Sequence, residues 1–497
     1  MKKKLSLLLA ILMLVSVAFG ATSCNKDGEG EGGETTEATV VTTLAGDEDD
    51  AKLYEDLPTG DFGGYVFNIL NGQSNYAKTT LVPVETQDSL NAAMFNRNKF
   101  VEQELNVKIV EDSRPHPAYK TIQEEVRLLN SSNDFAYDII YNELGYQTAL
   151  AQEGAYFATD EYEMYLDFSK PWWLTDAMDS IKIDGRTCEL FGEFHLMFYE
   201  SIWAAAFNQK IFTEKKMDFP YDLVRSGDWT IGAFKELAAQ ASAGDDGIYG
   251  VFTDGNYFST AMIASTGFEL ISQDETDILI PYENDELLVS IYEALLPFYA
   301  SNGDGMDNWI MPNGESDAKL NGSFTDNKEG QLFLRGRAAF FTDAIGAMQR
   351  IRAADFDYGI VPLPKYESGQ ETYVSNVFRA AASGGIPVTS PDVERTCTIL
   401  ENLTAYSYQM VKKEYYEVVV QARTVRDNDS IEMLDIIFGN SENGVVKFEL
   451  DAVYGIGISS CINLNISDAA PEVKSQLDSI KGTSVKTNID NVIKAYK

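Results

Sequence analysis

Few residues in this chain could carry acid–base or nucleophilic catalysis. Only His116 and His195 offer an imidazole that titrates near neutral pH, and His116 stands in Arg114-Pro115-His116-Pro117, which reads as an extended turn. There is no P-loop, no HExxH and no CxxC, and Gly455-Ile456-Gly457 lacks the third glycine of a dinucleotide fingerprint. Beyond Cys24 the thiols are Cys188, Cys397 and Cys461, an odd number at no metal-ligand spacing. Buried thiols are expected, with one disulfide possible and no metal site. Paired carboxylates of the glycosidase kind carry little information, because among 77 acidic residues some close pair is inevitable. The chemistry therefore points to binding, with no catalytic residue and no cofactor. An exported glycoside hydrolase stands as the alternative.

Charge narrows what could be bound. The formal net charge is −38, a field that disfavours nucleic acid and strongly anionic ligands and suits neutral or cationic ones. Hydrophobic residues make up 44% and aromatic residues 12%, including 26 Tyr. A large ordered core is expected, and the length suggests two or more lobes.

Lys2, Lys3 and Lys4 precede an apolar run from Leu5 to Phe19 broken only by Ser6 and Ser16. That pattern is an export signal over 1–23, too short for a permanent span of about 20 residues. Ala21-Thr22-Ser23-Cys24 resembles the bacterial lipobox, which implies lipidation of Cys24. Cleavage by ordinary signal peptidase after Gly20 or Ser23 would instead release a soluble protein. From 24 to 63 the chain is rich in Gly, Glu, Thr and Asp and cannot bury enough apolar surface to fold. Such a tether has a typical end-to-end distance of roughly 35 Å.

Beyond it the pattern alternates. Tyr65 to Leu70 reads as a strand, Ser89 to Leu105 as a helix with Leu90, Met94, Val101 and Leu105 on one face, and Val107 to Val110 as a strand. Tyr119 to Leu129 then reads as a helix and Tyr137 to Tyr141 as a strand. This βαβαβ layout predicts a parallel, doubly wound α/β sheet whose ligand lies beyond the strands' carboxyl ends. The candidates are Asn71 after the first strand, and Asn142 and Glu143 after the third.

Further segments resemble the extracellular solute-binding proteins of ABC importers, the sugar-binding type. They are Tyr137-Asp138-Ile139-Ile140, Ile183 to Leu190, Phe207-Asn208-Gln209-Lys210-Ile211-Phe212, and Gly227-Asp228-Trp229-Thr230 with Phe234 to Ala238. Gly336 to Phe340, Tyr358 to Pro364, and Ile386-Pro387 with Ser390-Pro391 continue the series. Order and spacing carry the likeness, which covers nearly everything after Gly64. Trp229 is expected in the core, Thr230 as a helix cap, and Ser390 as the cap of the later helix.

The resemblance implies a two-lobed type II periplasmic-binding-protein-like fold. Each lobe is a doubly wound sheet flanked by helices, and hinge crossovers join the two. The first lobe is placed at 64–193 plus 374–411 and the second at 194–373 plus 412–497. It also implies further ligand contacts: Trp172 and Trp173, matching a tryptophan pair of the family, Glu200 near the first crossover, Asp343 at a strand end, and Asn376 and Arg379 where the chain re-enters the first lobe. The implied function is capture of a sugar or oligosaccharide by a monomeric lipoprotein on the outer face of the cell membrane, with delivery to a separate permease and ATPase. A peptide or polyamine is the other kind of polar ligand.

Overall fold

The computed structural model describes residues 52–73, 80–183, 185–243, 247–253, 255–273, 279–298, 331–420, 428–454, 471–479, 487 and 490–491. The segment read as an export signal, Cys24, Cys461 and most of the segment read as a tether lie outside the described residues. Leu53 begins the compact unit discussed below.

The alternation at the start forms as its pattern dictates. In chain order come β1 (Tyr65–Gly72), α1 (Ser89–Glu104), β2 (Val107–Arg114), α2 (Tyr119–Ser132), β3 (Ile139–Glu143) and α3 (Leu144–Gln152). Both β2 and β3 pair with β1 in parallel. Side chains of a strand alternate between faces, and here each face has its own core. Phe67, Ile69, Ile139 and Tyr141 pack with Met94 and Val101 of α1, while Leu70 and Ile140 pack with Ile122 and Val126 of α2 and Leu150 of α3. Asp88 caps α1 by accepting a hydrogen bond from the Asn91 N–H at 2.9 Å, a contact worth about 1 kcal/mol.

The third strand starts two residues later than its apolar run. Asp138 is fully buried and accepts from the Asn68 backbone N–H at 2.8 Å and the Tyr65 hydroxyl at 2.8 Å. It clamps the entry of β3 onto β1 before the ladder begins. In consequence Asn71, Asn142 and Glu143 belong to the strands themselves and not to the loops after them.

The second sheet contains β4 (Trp203–Asn208) and β5 (Tyr249–Thr253). After the short antiparallel pair β6 (Ile271–Gln273) and β7 (Leu279–Pro281) it gains β8 (Ala338–Ala344) and β9 (Tyr358–Pro362). Its order is β5-β8-β4-β9. Every residue of β4 is buried, which explains its unbroken apolar run as a central strand covered on both faces. The sheet is mixed, since β4 runs antiparallel to both β8 and β9. Two further strands, β10 (Tyr373–Val377) and β11 (Ala382–Gly385), precede β12 (Gly444–Phe448). Antiparallel pairing of β11 with β3 makes the first sheet mixed too, and β10 pairs with β12 in parallel.

Trp229 is buried, with its indole N–H donating to the Pro362 carbonyl at 2.8 Å, and the Thr230 hydroxyl caps the helix Ile231–Ser242. The later helix, Val393–Met410, is capped by Asp392 rather than Ser390, because the carboxylate stands one residue before the first helical turn.

Two boundaries differ from the sequence reading. Residues 53–63, read from the sequence as tether, belong to the folded unit, since the Tyr54 ring stacks on Trp172 at 5.6 Å, the Pro58 carbonyl accepts from Asn402, and Phe62 N–H bonds the Leu105 carbonyl. The chain also rejoins the first sheet at Ala382 instead of Val374, because β10 stays with β12. Among the described residues no helix is long and apolar enough to cross a membrane.

Candidate functional site

Two segments cross between the sheets side by side. Leu190 and Gly384 exchange a pair of backbone hydrogen bonds of 2.8 and 2.9 Å, and at the far end Phe378 N–H donates to the Ser201 carbonyl at 2.9 Å. Glu143, the last residue of β3, lies opposite Ala382, the first residue after the second crossing. Trp203, the first residue of β4, lies opposite Ala344 at the end of β8. The crossing is thus bordered by the carboxyl ends of β3 and β8, the position expected for a ligand of open α/β sheets.

Around the end of β3 the structure gathers a cluster with both aromatic and polar faces. Tyr119 opens α2 and Tyr146 lies in the first turn of α3; their rings stack at 4.6 Å with planes 22° apart. His116 meets the Tyr119 ring edge-on at 5.6 Å. All three side chains are only half-buried. Asn142 is fully buried and supports the stack from below, its side-chain N–H donating to the Tyr119 carbonyl at 3.1 Å. Its Oδ1 has no hydrogen-bond partner among the described residues. Burial pushes the Glu143 carboxyl up to about 7, against the opposing pull of the Arg379 charge. Arg379 is exposed, and its charge also acts on the Tyr146 hydroxyl. Aromatic faces beside a carboxyl and a guanidinium can stack against the apolar face of a ring and hydrogen-bond its hydroxyls.

Of the residues proposed from sequence, Asn142, Glu143 and Arg379 are brought together here. The others are not free to serve in the same way. Asn71 is 1% exposed; its amide donates to Glu111 at 2.7 Å and its carbonyl meets His195 Nε2 at 3.1 Å. Trp172 and Trp173 are core residues: their indoles donate to the two oxygens of the Glu401 carboxylate at 2.9 and 2.8 Å. Neither is placed in the stack, because Trp172 is wholly buried and Trp173 is 6% exposed. Glu200 is buried against the Tyr415 hydroxyl. Asp343 is buried in β8, where it accepts the Ala344 N–H at 2.7 Å. Asn376 is buried in β10 with Oδ1 unpartnered among the described residues, and belongs to the far side of the crossing from Glu143.

Sequence reasoning missed Tyr119, Tyr146 and His116. A signal exists, since each of the two tyrosines occupies the first turn of a helix that follows a strand of the first sheet; the sequence reading takes Tyr119 only as the start of a helix, assigns no element to Tyr146 and places His116 in an extended turn.

No protein-family model matches the sequence. No curated protein matches it either. Solved structures do. An ABC substrate-binding protein from Listeria monocytogenes, in complex with cycloalternan, is 15% identical, with 84% of this chain and 99% of that chain covered at a TM-score of 0.53. A solute-binding protein of an ABC transporter from Thermotoga lettingae, bound with α-D-tagatose, is 12% identical over 87% of this chain and 100% of its own at a TM-score of 0.52. A sugar transporter protein from Rhizobium etli in an open conformation is 14% identical over 87% and 99% at 0.54. At these identities the likeness is one of fold: the chain has the two-lobed type II periplasmic-binding-protein fold.

Proposed function

We propose that this chain captures a sugar or oligosaccharide in the crossing region between its two lobes and delivers it to the permease of an ABC importer, without transforming it. The observation that carries the reading is the half-exposed Tyr119–Tyr146 stack beside Glu143 and Arg379 at the carboxyl end of β3. Tyrosine faces suit the C–H face of a pyranose, and the flanking carboxyl and guanidinium supply acceptor and donor for its hydroxyls. The fold supports the same reading, because proteins that share it bind cycloalternan and α-D-tagatose.

The lipid anchor belongs to this proposal. Cys24 follows an export signal and precedes a polar tether, so diacylation there would hold the receptor near its membrane partners and raise their effective concentration. A thermal-shift screen of the full chain against a glycan panel tests the ligand class. A ligand at 100 times its dissociation constant stabilises by about 2.7 kcal/mol. Stabilisation by no glycan, or turnover of one into products, would overturn the reading. Labelled fatty acid that never enters the protein expressed in its host would remove the anchor alone.

A further inference from the structure

The two crossing segments have a second face. Connections between parallel strands are right-handed; β1 to β2 and β2 to β3 run in opposite directions across the sheet, so α1 and α2 cover opposite faces. The tyrosine stack is built on the starts of α2 and α3. On the other side lies the helix Lys412–Val420, which packs on α1. Lys412 there lines a pocket of about 910 Å³ walled by both lobes and by the crossings, within the size range of small-molecule sites.

Its walls already hold one ammonium group. Lys412 Nζ bonds Glu193 Oε1 at 2.8 Å and lies over the rings of Tyr408 and Tyr199 at 4.8 and 5.9 Å. The same Glu193 oxygen accepts the Tyr199 hydroxyl at 2.7 Å. Glu193 is fully buried, and its second oxygen, Oε2, has no hydrogen-bond partner among the described residues. An unpaired oxygen on a buried carboxylate is costly to leave unsatisfied. Trp173, Phe198 and Phe438 add aromatic surface, and Asp176, Asp179 and Glu269 bring the lining to four carboxylates, of which Asp179 is paired with Lys182 and Glu269 with Lys447. A carboxylate among aromatic faces is the arrangement that recognises an organic cation.

We propose that this pocket is a second binding site, distinct from the tyrosine stack, for an organic ammonium ion carrying an apolar or aromatic body, with Glu193 and the surrounding rings as its recognition elements. The field of the whole chain, at −38, favours a cation over an anion of the same shape.

Calorimetric titration of the full chain with benzyltrimethylammonium chloride tests it, with benzyl alcohol and sodium benzoate as neutral and anionic counterparts. Saturable binding of the ammonium is expected, with affinity at least about tenfold above that for benzyl alcohol and none for benzoate. Glu193→Gln should lower the affinity by about tenfold. Because that change also removes the partner of Lys412, Ser272→Trp, which fills the pocket from β6, serves as a second variant and should abolish binding. Tyr146→Ala should leave it unchanged. No saturable binding by the folded protein, equal binding of all three probes, indifference to both pocket variants, or loss in Tyr146→Ala would each overturn the proposal.

Discussion

The side-chain amide of Asn142 donates to the backbone carbonyl of Tyr119 at 3.1 Å, tying the end of β3 to the first residue of α2. The bond places a buried amide directly beneath the aromatic stack, so in the proposed site Asn142 would act through Tyr119 and not by touching the ligand. Asn142→Ala should weaken glycan binding by about 1 kcal/mol, and Tyr146→Ala, which removes a stacking face, by about 1 to 3 kcal/mol. Calorimetry on folded variants checks both. Should Asn142→Ala lose more affinity than Tyr146→Ala, direct contact by the amide would be the better account.

The tryptophan pair gives the opposite expectation. With both indoles on Glu401 and Trp172 wholly buried, Trp172→Ala should cost about 3 to 5 kcal/mol of folding stability. Ligand affinity of whatever folds should be little changed. Chemical denaturation beside a binding isotherm separates the two effects; an affinity loss at unchanged stability would return the pair to the ligand site.

Glu401 also sets a pH dependence. Burial pushes its carboxyl up to about 7, although the two indole N–H groups pull the other way; Glu143 and Glu189 are raised to about 7 by burial as well. A carboxyl with a raised native pKa holds its proton better folded than unfolded. Between its unfolded pKa, 4.5, and about 7 the native state therefore binds more protons, and stability falls as pH rises through that window, then levels. Thermal melts from pH 5 to pH 8 should show this fall, and Glu401→Gln should flatten it by roughly 2 kcal/mol across the window. A fall of the same size in the variant would remove Glu401 from the explanation.

The first sheet was legible because its strands and helices obey different periods and each buried face is covered by its own helices. Met94 and Val101 on α1, and the clamp residue Asp138, sit in segments whose pattern is local. What could not be read was which polar side chains at strand ends are spent internally. Asn71 and Asn142 look alike in sequence, yet the first closes a chain from Glu111 to His195 whereas the second supports Tyr119. Those partners lie 40 and 124 residues from Asn71 and 23 from Asn142, and only the packing of β1 against β2 and the first crossing decides between them. The mixed order of the second sheet was hidden for the same reason, since β8 joins β4 and β5 from far along the chain.

Closure of the lobes is the remaining expectation, and the crossing geometry states what must bend. The two segments are pinned to each other at both ends, by Leu190 with Gly384 and by Phe378 with Ser201. Between these pins run residues 191–200 of one segment and 379–381 of the other, which then enters β11, and Arg379 stands on the second of them. A ligand held by Glu143 and the tyrosines on one lobe can draw the other toward it only by changing backbone angles in those short stretches, as in hinge closure generally. X-ray scattering of the full chain should show a smaller radius of gyration with saturating glycan than without. Pro substitution at Ala380 should limit the change, because it fixes one backbone angle where the bend is required. An identical scattering profile with and without a glycan that binds by calorimetry would mean a rigid site, and the crossings would then be struts and not hinges.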